Sequence, residues 1–77
     1  MINNITKEEL ANLKSEYPEG TRVKLLQMDD AQAPKIGTLG TVKNVDDCGS
    51  LMMSWDNGSS LNVLYNIDKV AKVWMTI

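Results

Sequence analysis

Between residues 51 and 63 the chain reads LMMSWDNGSSLNV. Leu51, Met53 and Trp55 alternate with Met52 and Ser54, the period of a strand with one buried face. The alternation stops at Asn57-Gly58, the pair that best tolerates the positive φ which both central residues of a type I′ turn require. The segment therefore predicts a two-residue hairpin that brings Leu61 and Val63 back to the core face. An isolated hairpin is marginal in water, so further strands and a cover for the apolar face have to come from the rest of the chain. Trp55, in register with Leu51 and Met53, reads as core or barrel wall. Asp56 reads as an acceptor for hairpin N–H groups.

The remaining sequence supplies the partners. ITKEEL, residues 5–10, is a helix start: Thr6 as N-cap, Glu9 to close a capping box, and Ile5 and Leu10 as a hydrophobic staple. Leu10, Leu13 and Tyr17 share one side at helical spacing, and Pro18 stops the helix, which is expected over about 7–16. After the turn residues PEG, Val23 and Leu25 alternate with Arg22 and Lys24 as a first strand. DDAQAPKIGT, residues 29–38, has no sustained period and reads as a surface loop. GTLGTVKNV enters a second strand with Val42 and Val45 inward, its two glycines marking a bulge or tight bend. DDCG is the next turn, YNID a short turn or 3₁₀ piece, and KVAKVWMT a last strand. One helix followed by five short strands with glycine corners predicts a mainly β fold, a small curled antiparallel barrel over about 21–76 within a single domain, 1–77.

Composition narrows function more than it identifies it. A chain of 77 residues buries roughly 60% of its unfolded surface and offers no second domain to close a cleft. There is no histidine, so His-dependent nucleophilic catalysis is excluded, and Ser59 and Ser60 have no evident base. The lone cysteine, Cys48, has no second thiol for an intramolecular disulfide and no imidazole for a zinc site. Asp46 and Asp47 beside it would oppose thiolate formation. A reducing, cytoplasmic setting is expected, without a signal peptide or membrane span. GTLGT is followed by a strand and not by the helix a phosphate loop requires. Asp29-Asp30 and Asp46-Asp47 lack EF-hand spacing and read as turn residues. No catalytic, cofactor-binding or metal-ligating residues are assigned.

At YPEGTRVKLLQMDD, GTLGTV and SWDNGSSL the chain closely resembles a family of short bacterial and bacteriophage proteins known only as a domain of unknown function. The family pattern reads E-Y-P-x-G-T-R-V-x-L-x-x-M-D-D, then G-T-x-G-T-V, then W-D-N-G-S-x-L, and the match covers roughly residues 8–70. More loosely, the succession of G-T-V and W-D-N-G is similar to SH3-like barrels, including the Mib/Herc2-type domains of ubiquitin ligases. The resemblance implies an SH3-like five-stranded antiparallel barrel behind one N-terminal helix. It implies no reaction, because one barrel hosts unrelated functions.

The expectation is a non-enzymatic protein-interaction module of a bacterial or phage chain, binding or inhibiting a host protein, with a homodimer as a second form. Apolar residues on both faces of the last strand and the open composition of the 28–36 loop place the candidate contacts at Met28, Asp29, Asp30, Lys35, Ile36, Val73, Trp74 and Met75. The alternative is nucleic-acid binding. It requires Arg22, Lys24, Lys35, Lys43 and Lys72 to converge beside an exposed aromatic, which a net charge of -2 does not favour.

Overall fold

The computed structural model describes residues 5–73 of the chain. Among them one helix, α1 (Lys7–Glu16), precedes four strands, β1 (Arg22–Gln27), β2 (Leu39–Val45), β3 (Leu51–Trp55) and β4 (Lys69–Lys72). The strands form one antiparallel sheet in the order β3-β2-β1-β4.

The helix begins where the sequence places it. Thr6 Oγ1 accepts the Glu9 N–H and Glu9 Oε1 accepts the Thr6 N–H, both at 3.0 Å, so two of the otherwise orphan first-turn donors are satisfied reciprocally. Accepting the Thr6 backbone N–H also draws the Glu9 carboxyl below its ordinary range. The helix ends at Tyr17, whose N–H bonds the Leu13 carbonyl before Pro18 intervenes. No residue of α1 is fully buried; Leu10, Leu13 and Tyr17 pack half-buried against the core. Two ion pairs fasten it at either side, Lys14 to Asp47 in the β2–β3 turn at 3.1 Å and Glu16 to Lys72 on β4 at 3.3 Å. The Lys72 ammonium also lies 5.1 Å from the Tyr17 ring centroid, within cation–π range.

The core consists of Val23, Leu25, Val42, Val45, Leu51, Met53, Trp55 and Val63. Val23 and Leu25, like Leu51, Met53 and Trp55, follow strict alternation. Val42 and Val45 stand three apart yet both point inward, because the β2–β3 register slips between Val42 and Asn44 and leaves Lys43 as an extra residue. The bulge thus lies at Lys43, and not between the glycines of GTLGTV. Of those, Gly37 makes the bend, at φ +95°, and its N–H bonds the Leu25 carbonyl. Gly40 has another purpose: it pairs with Trp55, and the indole ring comes within 2.5 Å of where a Cβ would stand.

The expected five-stranded closed barrel is corrected to four strands in an open sheet. The segment foreseen as the fourth of five strands, around Leu61–Val63, makes only a bridge, Leu51 with Val63. The outward N–H groups of β3 are nonetheless satisfied by three different acceptors. Leu51 donates to the Val63 carbonyl at 2.8 Å, Met53 to the Asn62 side chain at 3.4 Å, and Trp55 to the Ser59 carbonyl at 3.0 Å. A side-chain amide standing in the middle of this ladder interrupts regular pairing, which is why a strand does not form. Leu61 is half-buried, and its carbonyl accepts the Trp55 indole N–H at 2.8 Å.

The hairpin turn is also corrected. Asn57 is not at positive φ; Gly58 is, at +93°. The Trp55 carbonyl accepts the Gly58 N–H, the Trp55 N–H reaches Ser59, and Asn57 Oδ1 accepts the Ser59 N–H. This is a three-residue loop with glycine in the left-handed position, the next most common hairpin class. Asp56, the first residue of the loop, is tied back to β2 by its N–H, bonded to the Leu39 carbonyl at 2.9 Å.

Candidate functional site

The outer face of the sheet is organised by Arg22. From β1 its guanidinium donates to both oxygens of Asp56, at 2.8 and 2.7 Å, and to Thr41 Oγ1 of β2 at 2.9 Å. The fork-to-fork geometry keeps Asp56 below the usual carboxylate range and Arg22 above its own, in each case chiefly through that hydrogen bond. Asp56 is therefore a partner for a cross-sheet arginine and not the acceptor of turn N–H groups that the sequence suggests.

Of the paired acids, Asp30 and Asp46 are used in their own turns and Asp47 in a pair with the helix. Asp46 Oδ1 accepts the N–H groups of Cys48 and Ser50, Asp47 pairs with Lys14, and Asp30 Oδ1 accepts the Gln32 N–H. Cys48 is exposed. Ser59 Oγ accepts the Leu61 N–H, a turn role. Among the described residues no group of three or more Cys, Asp or Glu side chains is arranged to hold a metal ion, and no helix is long and apolar enough to cross a membrane.

The candidate contact residues separate into distinct places. Met28, Asp29 and Asp30 line one shallow depression at the end of β1, together with Leu61, Asn62, Leu64, Ile67 and Asp68. Lys35 and Ile36 sit in a turn closed by Thr38, whose N–H and Oγ1 both bond the Lys35 carbonyl; Ile36 is 62% exposed at its tip. The loop is anchored by Pro34, which is buried. Val73 lies at the opposite end of β1, its N–H on the Arg22 carbonyl, so it does not join Met28. Trp74 and Met75 lie outside the described residues.

Three exposed aliphatic residues beside these positions were not legible in the sequence as such: Leu26, Leu64 and Ile67, which are 45%, 39% and 56% exposed. Leu26 is the extra residue where the β1–β4 register slips between Leu25 and Gln27, and this irregularity accompanies its exposure. Leu64 and Ile67 belong to a self-contained turn. The Leu64 carbonyl accepts the N–H groups of Ile67 and Asp68, Asp68 Oδ2 accepts the Leu64 N–H at 2.9 Å, and Asn66 takes φ +62°. With the backbone satisfied internally, the turn does not depend on burying its two aliphatic side chains. Leu64 and Asp68 also line a second depression, bounded by Leu13, Tyr17, Leu26 and Val70. The two depressions, about 280 and 260 Å³, thus meet at Leu64 and Asp68. On its flank Tyr65 is held neutral to higher pH than usual, first by loss of hydration and then by the nearby Glu9 carboxylate.

A short antiparallel sheet carrying one docked helix and an exposed apolar surface defines a small mainly β domain. Residues 6–73 match the family described as Domain of unknown function (DUF4314), and the chain belongs to that family. Comparisons with curated proteins and with solved structures gave no match.

Proposed function

We propose that this chain is a non-enzymatic, cytoplasmic protein-interaction module of SH3-like ancestry, in which the bridge at Val63 stands where a further barrel strand would pair. The observation that carries the reading is the surface formed by Leu26, Met28, Leu64 and Ile67. Two elements separated in the chain by β2 and β3, the end of β1 and the turn at Leu64–Asp68, line adjoining depressions, Leu26 and Leu64 the one and Met28, Leu64 and Ile67 the other, with Leu26, Leu64 and Ile67 exposed. The bacterial or bacteriophage setting implied by the motif resemblance makes a host protein the natural partner.

The nucleic-acid alternative has less support. Of its five cations, Arg22 is engaged by Asp56 and Lys72 by Glu16, and the Trp55 ring is 2% exposed and unavailable for base stacking. The test is affinity capture from a bacterial host with the full chain and with a Leu64→Asp/Ile67→Asp variant of unchanged circular dichroism. A partner held by the first and lost by the second is the expected result. Equal capture by both, or capture only of nucleic acid that salt removes, refutes the reading.

A further inference from the structure

We propose that the surface at Leu64 and Ile67 receives a peptide segment with an apolar anchor flanked by lysine or arginine; this rests on the interaction reading above and names the partner's chemistry. The two depressions, about 280 and 260 Å³, are open to solvent and share Leu64 and Asp68, so they suit the side chains of a segment lying across the surface. The charge around them is one-sided. Asp29, Asp30 and Asp68 border the depression that contains Ile67, whose lining holds no cation, and the adjoining one adds only Lys69. Asp30 and Asp68 are fixed in place by the Gln32 and Leu64 N–H groups, each through one oxygen. A carboxylate has a second oxygen and further lone pairs for a donor from outside.

The same arrangement weighs against other occupants. Nucleic-acid phosphates and an anionic lipid surface meet three carboxylates of like charge. A second copy of this chain docking through the same patch would add the same three carboxylates again, offset only by Lys69, since a two-fold interface uses the same patch on both subunits. Lysine or arginine beside an aliphatic or aromatic anchor satisfies both the apolar floor and the acidic border, with electrostatic steering of the encounter as a consequence.

A random-peptide display library selected on the full chain, with counterselection on the Leu64→Asp/Ile67→Asp variant, tests this. The expected consensus is an apolar anchor with Lys or Arg within a few positions. A synthetic consensus peptide should bind about three- to tenfold more weakly to Asp29→Asn/Asp30→Asn, in which an Oδ1 acceptor for Gln32 is retained. Raising salt should weaken wild-type binding and affect that variant less. A consensus without basic residues, or one whose affinity ignores both salt and the asparagine variant, overturns the charge inference while leaving the interaction reading intact. Failure to recover any peptide that distinguishes wild type from the Leu64/Ile67 variant overturns both.

Discussion

Replacing Gly40 by alanine would place a Cβ 2.5 Å from Trp55 Cε3, 2.9 Å from Cδ2 and 3.0 Å from Cζ3. Carbon atoms in contact settle near 3.5–4.0 Å, so the ring or the strand must move by about 1 Å. The ring is poorly placed to do so: Trp55 is 2% exposed, and its indole N–H is held by the Leu61 carbonyl at 2.8 Å. Overpacking of this kind costs about 1–3 kcal/mol, and losing the indole hydrogen bond adds about 1 kcal/mol. Gly40 is not in the left-handed region, so alanine adopts its backbone without strain and restricts the unfolded chain, an offset of about 0.4–1 kcal/mol in the other direction. The net expectation is a loss of about 1–3 kcal/mol, from a total that for this length is about 4–12 kcal/mol. In urea, with a slope near 1 kcal/mol/M for a small domain, the midpoint should fall by about 1–3 M. Unfolding is best followed by far-ultraviolet circular dichroism, with the Trp55 indole N–H resonance reporting the ring itself. Combining Gly40→Ala with Trp55→Leu should cost less than the sum of the two, because the smaller side chain removes the collision. A Gly40→Ala protein as stable as the parent, or more so, would refute the claim that this glycine exists to receive the tryptophan ring.

Three further outcomes follow from other contacts. Thr6→Ala should destabilise by about 1 kcal/mol through loss of the N-cap, visible as reduced helix signal and a lower melting temperature. Asn62→Ala removes the acceptor of the Met53 N–H; because that bond is long, at 3.4 Å, and lies at the sheet edge, a loss of about 0.5–1 kcal/mol is expected in urea unfolding, with faster hydrogen exchange at Met53. The folded-state pKa values of Asp56 and Glu9 are depressed, so their stabilising contribution is complete above the unfolded carboxylate range near pH 4 and is lost as pH falls through the folded values. Stability should therefore decline on acidification below about pH 4, and Asp56→Asn should flatten its share of that decline; an unchanged profile would mean that Arg22 does not hold this carboxylate in solution.

The local features were readable because their causes are local. The capping box at Thr6 and Glu9, the stop at Pro18, the inward set Val23, Leu25, Leu51, Met53 and Trp55, and the turn use of Asp30 and Asp46 each depend on residues within about four positions of one another. The three-residue loop at Asp56–Gly58 escaped the same reasoning because the choice between two hairpin turns was made elsewhere. The Asp56 N–H is bonded to the Leu39 carbonyl on β2, and its carboxylate is met by Arg22, 34 positions away in sequence. Likewise the glycines of GTLGTV announced a bend, but only the pairing of β2 with β3 showed Gly40 beneath Trp55.

The candidate site divides along the same line. Met28, Asp29 and Asp30 stood out in the sequence as a loop with little demand from the fold, and they do border the apolar surface. Leu26, Leu64 and Ile67 did not stand out, since an aliphatic residue in a strand or a short turn reads as core until its neighbours are known. The register slip after Leu25 accompanies the exposure of the first. The closed bonding of Leu64 with Asp68 satisfies the turn's backbone without burial of the other two. Sequence alone determined the helix, the strand faces and the absence of histidine chemistry, all properties of residue type and short spacing. Tertiary structure decided that the sheet stays open and where its unneeded apolar side chains emerge, because both depend on hydrogen bonds and registers formed between segments far apart in the chain.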